Sequence, residues 1–294
     1  MHTSAAHQKT PAKQTSSGAS SGCFPALVFK TPANDPDSLD GRWCDDKTEY
    51  AFLGFSYEVS ACDLLARSTR TFANIRNNFN GRYIRLYGAC DKSSPSDDVV
   101  EAAYKNGLGV HDLIWFGYDG DNKWETRRDA LFSSLHSNPK AKFITRAVQF
   151  GSKPLVDGVL PASQLAAQVK AVQDNLAGLK IFVTVSDMQW SFQMNGGAGL
   201  KVLDVVDVID AHMLPFFGGN STTTSATWPS IKSSVDKFWG NLLVDRQNTL
   251  ISSIWLPRAW TSCGLQLSSV VVLYTLVVHN LSLVPQYILR PCIL

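Results

Sequence analysis

The segment ITRAVQFGSKP (Ile144–Pro154), followed by PASQLAAQVKAVQDNL (Pro161–Leu176) and KIFVTVS (Lys180–Ser186), decides the fold. The first run is apolar and strand-like through Gly151. The second is a helix, with Pro161 in its first turn and Leu165, Val169, Val172 and Leu176 on one face. The third is again a strand. A strand, a covering helix and a second strand with the same orientation form a βαβ unit, which belongs to a parallel sheet.

The same alternation extends in both directions. Strands are expected at Tyr50–Tyr57, Arg82–Gly88, Gly109–Phe116 and Val208–Phe217, and helices at Leu64–Asn78, Asp97–Asn106, Lys123–Ser137 and Gly199–Val206. Ser96 and Asp97 open the second helix, and Asn138-Pro139 closes the third. Six such units fit either a (β/α)8 barrel or an open doubly wound sheet. Gly54-Phe-Ser-Tyr after the first strand lacks the spacing of a dinucleotide-binding loop, so no nucleotide cofactor is expected. Polar and aromatic residues gather instead at strand ends: Tyr57, Glu58, Tyr87, Trp115, Phe116, Lys153, Asp187 and His212. That is where a barrel assembles its site.

Composition narrows the partners. The chain has 294 residues, 45% hydrophobic and 18% charged, enough for one large domain. A net charge of +2 with no basic stripe argues against nucleic acid. His111 and His136 lack ligand spacing and the cysteines form no CxxC, so no metal is expected. Cys23, Cys44, Cys62 and Cys90 flank strand ends, compatible with one or two disulfides or with buried thiols. Arg85, inside the second strand, would need a paired charge if it faced a barrel interior.

The ends differ from the middle. Residues 1–22 are polar, have no apolar signal core and read as a disordered leader ahead of a hydrolase-like region, 23–245. Residues 246–294 contain no Asp or Glu, although the chain has 25 acids. Within them LQLSSVVVLYTLVVHNLSLV (Leu265–Val284) is long enough to span a membrane but is broken by polar side chains. An acid-free tail after a patterned domain also fits translation of a retained intron or a shifted frame. Asn220 and Asn280 head glycosylation sequons.

Four runs carry a resemblance: Phe52-Leu-Gly-Phe-Ser-Tyr-Glu58, Arg82-Tyr-Ile-Arg-Leu-Tyr-Gly-Ala-Cys90, Val110-His-Asp-Leu-Ile-Trp-Phe-Gly-Tyr-Asp-Gly120 and Ala211-His-Met-Leu-Pro-Phe-Phe217. In this order they resemble fungal glycoside hydrolases of family 17, cell-wall β-1,3-glucanases and transglucosylases, over roughly residues 22–240. The resemblance implies a (β/α)8 TIM barrel, here incomplete at its C-terminal end. It further implies a β-glucan polysaccharide as partner, an extracellular or cell-wall location, no cofactor, and sugar contacts from the strand-end residues named above.

Such enzymes retain configuration with two carboxyl groups about 5 Å apart, one protonating the leaving oxygen and one attacking the anomeric carbon. The resemblance places the acid at the end of the fourth strand, in a Gly-Ser-Glu-Pro type motif. This chain has Gly151-Ser152-Lys153-Pro154. The nucleophile should lie on the seventh strand in Glu-x-Gly-Trp-Pro, yet Ser252-Ser-Ile-Trp-Leu-Pro257 retains only a Trp and a Pro. A lysine could donate a proton once, but its charge opposes the oxocarbenium-like transition state. The sequence therefore implies a glycoside hydrolase-like chain with impaired catalysis. The alternatives are a noncatalytic carbohydrate binder, a defective truncated gene product, or action on an unrelated glycan. Loss of the last two strands would leave the first and sixth with open edges.

Overall fold

The computed structural model describes residues 22–36, 38–44, 53–91, 95–117, 122–213, 229–234, 236–238, 253–257 and 270–276. The sequons at Asn220 and Asn280, Cys263, Cys292 and most of the leader and tail lie outside them.

The expected alternation is present. Strands β1 (Leu53–Glu58), β2 (Tyr83–Tyr87), β3 (Gly109–Ile114), β4 (Thr145–Ser152), β5 (Phe182–Met188) and β6 (Asp210–His212) alternate with helices. These are α1 (Leu65–Phe79), α2 (Pro95–Lys105), α3 (Trp124–Ser137), α4 (Pro139–Ile144) and α5 (Ala162–Asn175), then the single turns α6 (Met194–Gly197) and α7 (Leu200–Leu203). The α4 turn is additional to the expected set. Asn138 ends α3 and then caps α4, its side chain accepting from the N–H groups of Lys140 and Ala141, with Pro139 at the first helical position.

The strands form a closed ring in the order β1 to β8, where β7 is Ser253–Pro257 and β8 is Val270–Leu276. Each neighbouring pair from β1–β2 through β6–β7 is parallel, whereas β8 runs antiparallel to both β7 and β1. The fold is thus a (β/α)8-type barrel whose repeat is incomplete at its C-terminal end, because a full repeat has eight parallel strands. The expectation of open edges is corrected: β6 is hydrogen-bonded to β7 and β1 to β8. The valine-rich run of the tail supplies that last strand, residues 270–276 being extended. No helix among the described residues is long and apolar enough to cross a membrane.

Burial follows the two periods. Leu165, Val169, Val172 and Leu176 of the α5 region are buried, as their spacing requires. Strand residues alternate between the helix layer and the barrel interior. Gly54 of β1 is needed because a Cβ there would sit 2.3 Å from the carbonyl oxygen of Tyr83 on β2. The described N-terminal segment covers the strands' N-terminal ends. It is pinned by the Cys23–Cys44 disulfide, and Phe24 lies within 5.3 Å of the rings of Phe29, Trp43 and Phe143. Arg42 ties it down by donating to the carbonyls of Phe143, Lys142 and Leu179. A second disulfide joins Cys62 to Cys90 after β1 and β2, so these four cysteines form two bridges.

Candidate functional site

Arg85 organises the barrel interior toward the C-terminal ends of the strands. It is 3% exposed, and β2 turns it inward opposite Ser56 of β1 and His111 of β3. Nε donates to Gln149 Oε1 at 2.7 Å. Nη2 contacts Ser152 Oγ at 3.1 Å, Ser186 Oγ at 2.9 Å and His212 Nε2 at 3.2 Å. Gln149 is held in turn by donating to the carbonyls of His111 and Asp112. The paired charge that burial demands is Asp210, whose Oδ2 lies 3.9 Å from Arg85 Nε, beyond hydrogen-bond reach.

This network sets protonation states. His212 also meets Ser186 Oγ at 2.8 Å. Burial, then the charges of Arg85 and Lys153, hold the imidazole well below its usual range, so the ring is neutral. Arg85 has no acceptor, so Nε2 accepts and the ring proton sits on Nδ1. Burial pushes the Asp210 carboxyl up to about 7, against the pull of Arg85 and Ser186.

Lys153 follows directly after β4. Gly151 lies at a register shift near the end of β4 with φ +96°, where a Cβ would come within 2.8 Å of Pro154 and 3.0 Å of Phe116. Lys153 itself is left-handed at φ 59° and donates its N–H to Ser186 O on β5 at 2.6 Å. A non-glycine residue there costs about 1–2 kcal/mol, so the surrounding loop must impose it. Its ammonium pairs with Asp157 at 3.3 Å, and both side chains are more than two-fifths exposed. Neither group therefore offers a buried carboxyl.

The remaining strand-end residues divide. Glu58 and Tyr87 share one level across β1 and β2, both half-buried. Asp187 braces the loop after β4, accepting from Leu155 N at 2.6 Å and Met188 N at 2.7 Å; burial lifts its carboxyl to about 6 despite these bonds. Trp115 lies under the guanidinium of Arg127 at 5.1 Å. Two residues turn away from the others. Tyr57 faces α1, 4.9 Å from the Phe72 ring, with its hydroxyl at Asp63 and Ser68. Phe116 is buried against Trp124 and Phe150.

Several participants escape the sequence reading. Gln149, Ser152, Ser186 and Asp210 are ordinary polar residues until the barrel closes around Arg85. Trp190, 45% exposed, stands in the loop after β5; an apolar ring in a polar stretch next to a strand end is the signal that could have found it. No group of three or more His, Cys, Asp or Glu among the described residues could hold a metal ion.

No protein-family model matches the chain, and no curated protein matches it in sequence. Among solved structures it is similar to a glycoside hydrolase family 17 β-1,3-glucanosyltransferase from Rhizomucor miehei, at TM-score 0.52 and 17% identity, over 68% of this chain and 70% of that one. It is equally similar to an active-site mutant of the Rhizomucor miehei β-1,3-glucanosyltransferase in complex with laminaritriose, at TM-score 0.52 and 18% identity, over 69% and 72%. At such identities the likeness is one of fold, and the chain has the barrel fold of family 17 glycoside hydrolase structures.

Proposed function

We propose that this chain descends from family 17 glycoside hydrolases and binds β-1,3-linked glucan at the C-terminal end of its barrel without cleaving it. The observation that carries this reading is Lys153, an ammonium paired with Asp157 where a retaining glycosidase needs a carboxyl after its fourth strand. The seventh strand, Ser-Ile-Trp-Leu-Pro, has no acid, and neither does any residue from Arg246 onward. Lys153 puts a cation where the resemblance expects that acid, and such a charge opposes an oxocarbenium-like transition state. Recognition needs neither acid. Trp190 offers an exposed ring for stacking on a sugar face, and the half-buried Glu58 and Tyr87 offer polar edges. The laminaritriose held by the similar Rhizomucor miehei enzyme is the ligand class that suggests β-glucan. Such a role fits a cell-wall setting, and the two disulfides fit an oxidising compartment.

The test pairs two measurements on one sample. Calorimetric titration with laminarin is expected to show saturable binding, and reducing-sugar release is expected to stay at background. Steady release of sugar would contradict the noncatalytic reading, and absence of binding would contradict the glucan.

A further inference from the structure

We propose that Asn195, in the connection between β5 and β6, is a site of spontaneous deamidation, its side-chain amide becoming a carboxylate through attack by the backbone nitrogen of Gly196. The chain has three Asn-Gly pairs: Asn80-Gly81, Asn106-Gly107 and Asn195-Gly196. Such pairs suit the reaction because a residue without a Cβ lets the backbone turn until its nitrogen meets the preceding amide carbon. Sequence makes the three pairs alike, and the fold separates them.

Two of the pairs are locked at the atoms that must react. Asn80 ends α1 in a left-handed conformation with its N–H on Ile75 O, and Gly81 N donates to the same carbonyl at 2.9 Å. Gly81 is buried as well, and a Cβ there would sit 2.5 Å from Ile75 Cγ2, so this backbone is closely packed. Gly107 N donates to Tyr104 O at 3.1 Å. Asn106 Nδ2 donates to Ala102 O at 2.8 Å and to Thr69 O at 3.3 Å, so nucleophile and amide are both held.

The third pair is held by neither means. Asn195 and Gly196 are both exposed, and a Cβ added to Gly196 would meet nothing within 4 Å. Among the described residues, neither the Asn195 side chain nor the Gly196 N–H has a hydrogen-bond partner. Asn195, Gly196 and Gly197 are left-handed in succession, at φ 52°, 66° and 84°, so α6 is a kinked turn without a helical ladder. Leaving that conformation relieves strain at Asn195, which offsets part of the rotation the reaction needs. The flanks are fixed, because Phe192 and Gly199 are buried and a Cβ on Gly199 would lie 2.8 Å from Phe192 Cα, so the freedom belongs to the exposed tip. Hydroxide removes the Gly196 amide proton, the nitrogen bonds to Asn195 Cγ, and the bond from Cγ to Nδ2 breaks as ammonia leaves with a proton from water. Water then opens the succinimide at either carbonyl, giving aspartate or isoaspartate. The product puts a negative charge in the connection that also presents the exposed Trp190.

The test incubates the full chain in mildly alkaline buffer below its unfolding temperature and follows each Asn-Gly peptide by mass spectrometry, which reads the exchange of an amide NH2 for OH. In the native chain Asn195 is expected to convert about tenfold faster than Asn80 or Asn106, the effect of one hydrogen bond fewer on the reacting groups. In the chain unfolded with guanidinium the three rates are expected to converge, because only sequence then distinguishes them. Asn195→Gln, with a side chain too long to close the five-membered ring, is expected to abolish conversion at this position and leave the other two rates unchanged. If Asn195 does not lead the other two in the native chain, or if its lead survives unfolding, the assignment is wrong.

Discussion

Replacing Arg85 by methionine is expected to destabilise the protein by about 3–5 kcal/mol, the cost of removing one partner from a buried charge pair. The loss has two sources. Gln149, Ser152, Ser186 and His212 each lose the donor they now meet, and Asp210 loses its only counter-charge in the described interior. Denaturant unfolding at pH 7 measures the effect. Adding Asp210→Asn to Arg85→Met is expected to recover part of the loss, because the cost of keeping that carboxyl buried, paid at pH 7 by holding it protonated, disappears with it. A loss below about 1 kcal/mol would mean that the interior network carries little of the fold.

Asp210→Asn alone is expected to change how stability depends on pH. The folded carboxyl titrates at about 7 and an unburied one at 3.8, so across that window the folded state holds a proton the unfolded chain has released. The contribution from Asp210 is therefore fully present at low pH and lost as pH rises to about 7. Asparagine does not titrate. The variant is expected to gain on the parent as pH climbs from 4 to 8, by at most about 4 kcal/mol. Asp112 and Asp187, both lifted to about 6 mainly by burial, have the same sign in parent and variant. His111 and His212, held low by burial, act oppositely and lose stability as pH falls below their unfolded range. Subtracting one profile from the other isolates Asp210, and two parallel profiles would contradict its buried, shifted state.

Much of the barrel was legible because strand and helix periods differ and short-range signals mark them. The βαβ unit from Ile144 to Ser186 is visible in residue order, and α5 buries the face its spacing names. Other parts depend on contacts no local pattern contains. The covering N-terminal segment is held by Arg42 reaching carbonyls about a hundred residues away. The reversal of β8 is a property of ring closure, and an apolar run reads alike in either direction. For the site, strand parity was the neglected signal. Tyr57 and Glu58 are consecutive and cannot share a face; Tyr57 is the one that meets α1. Phe116, two residues beyond the end of β3, packs against Phe150 and Trp124 instead. Arg85, by contrast, was legible in part: a charge inside a barrel strand requires compensation, and the structure provides it.

On the proposed reading catalysis fails twice, after β4 where Lys153 stands and on β7, whose sequence has no acid. Restoring Lys153→Glu repairs only the first. It would supply a proton donor but leave nothing to attack the anomeric carbon, so the covalent intermediate of a retaining glycosidase could not form. The direct test is reducing-sugar release from laminarin by the Lys153→Glu chain beside the parent. The account predicts background release from both; sustained turnover by Lys153→Glu would show that a second carboxylate serves as nucleophile and would contradict it.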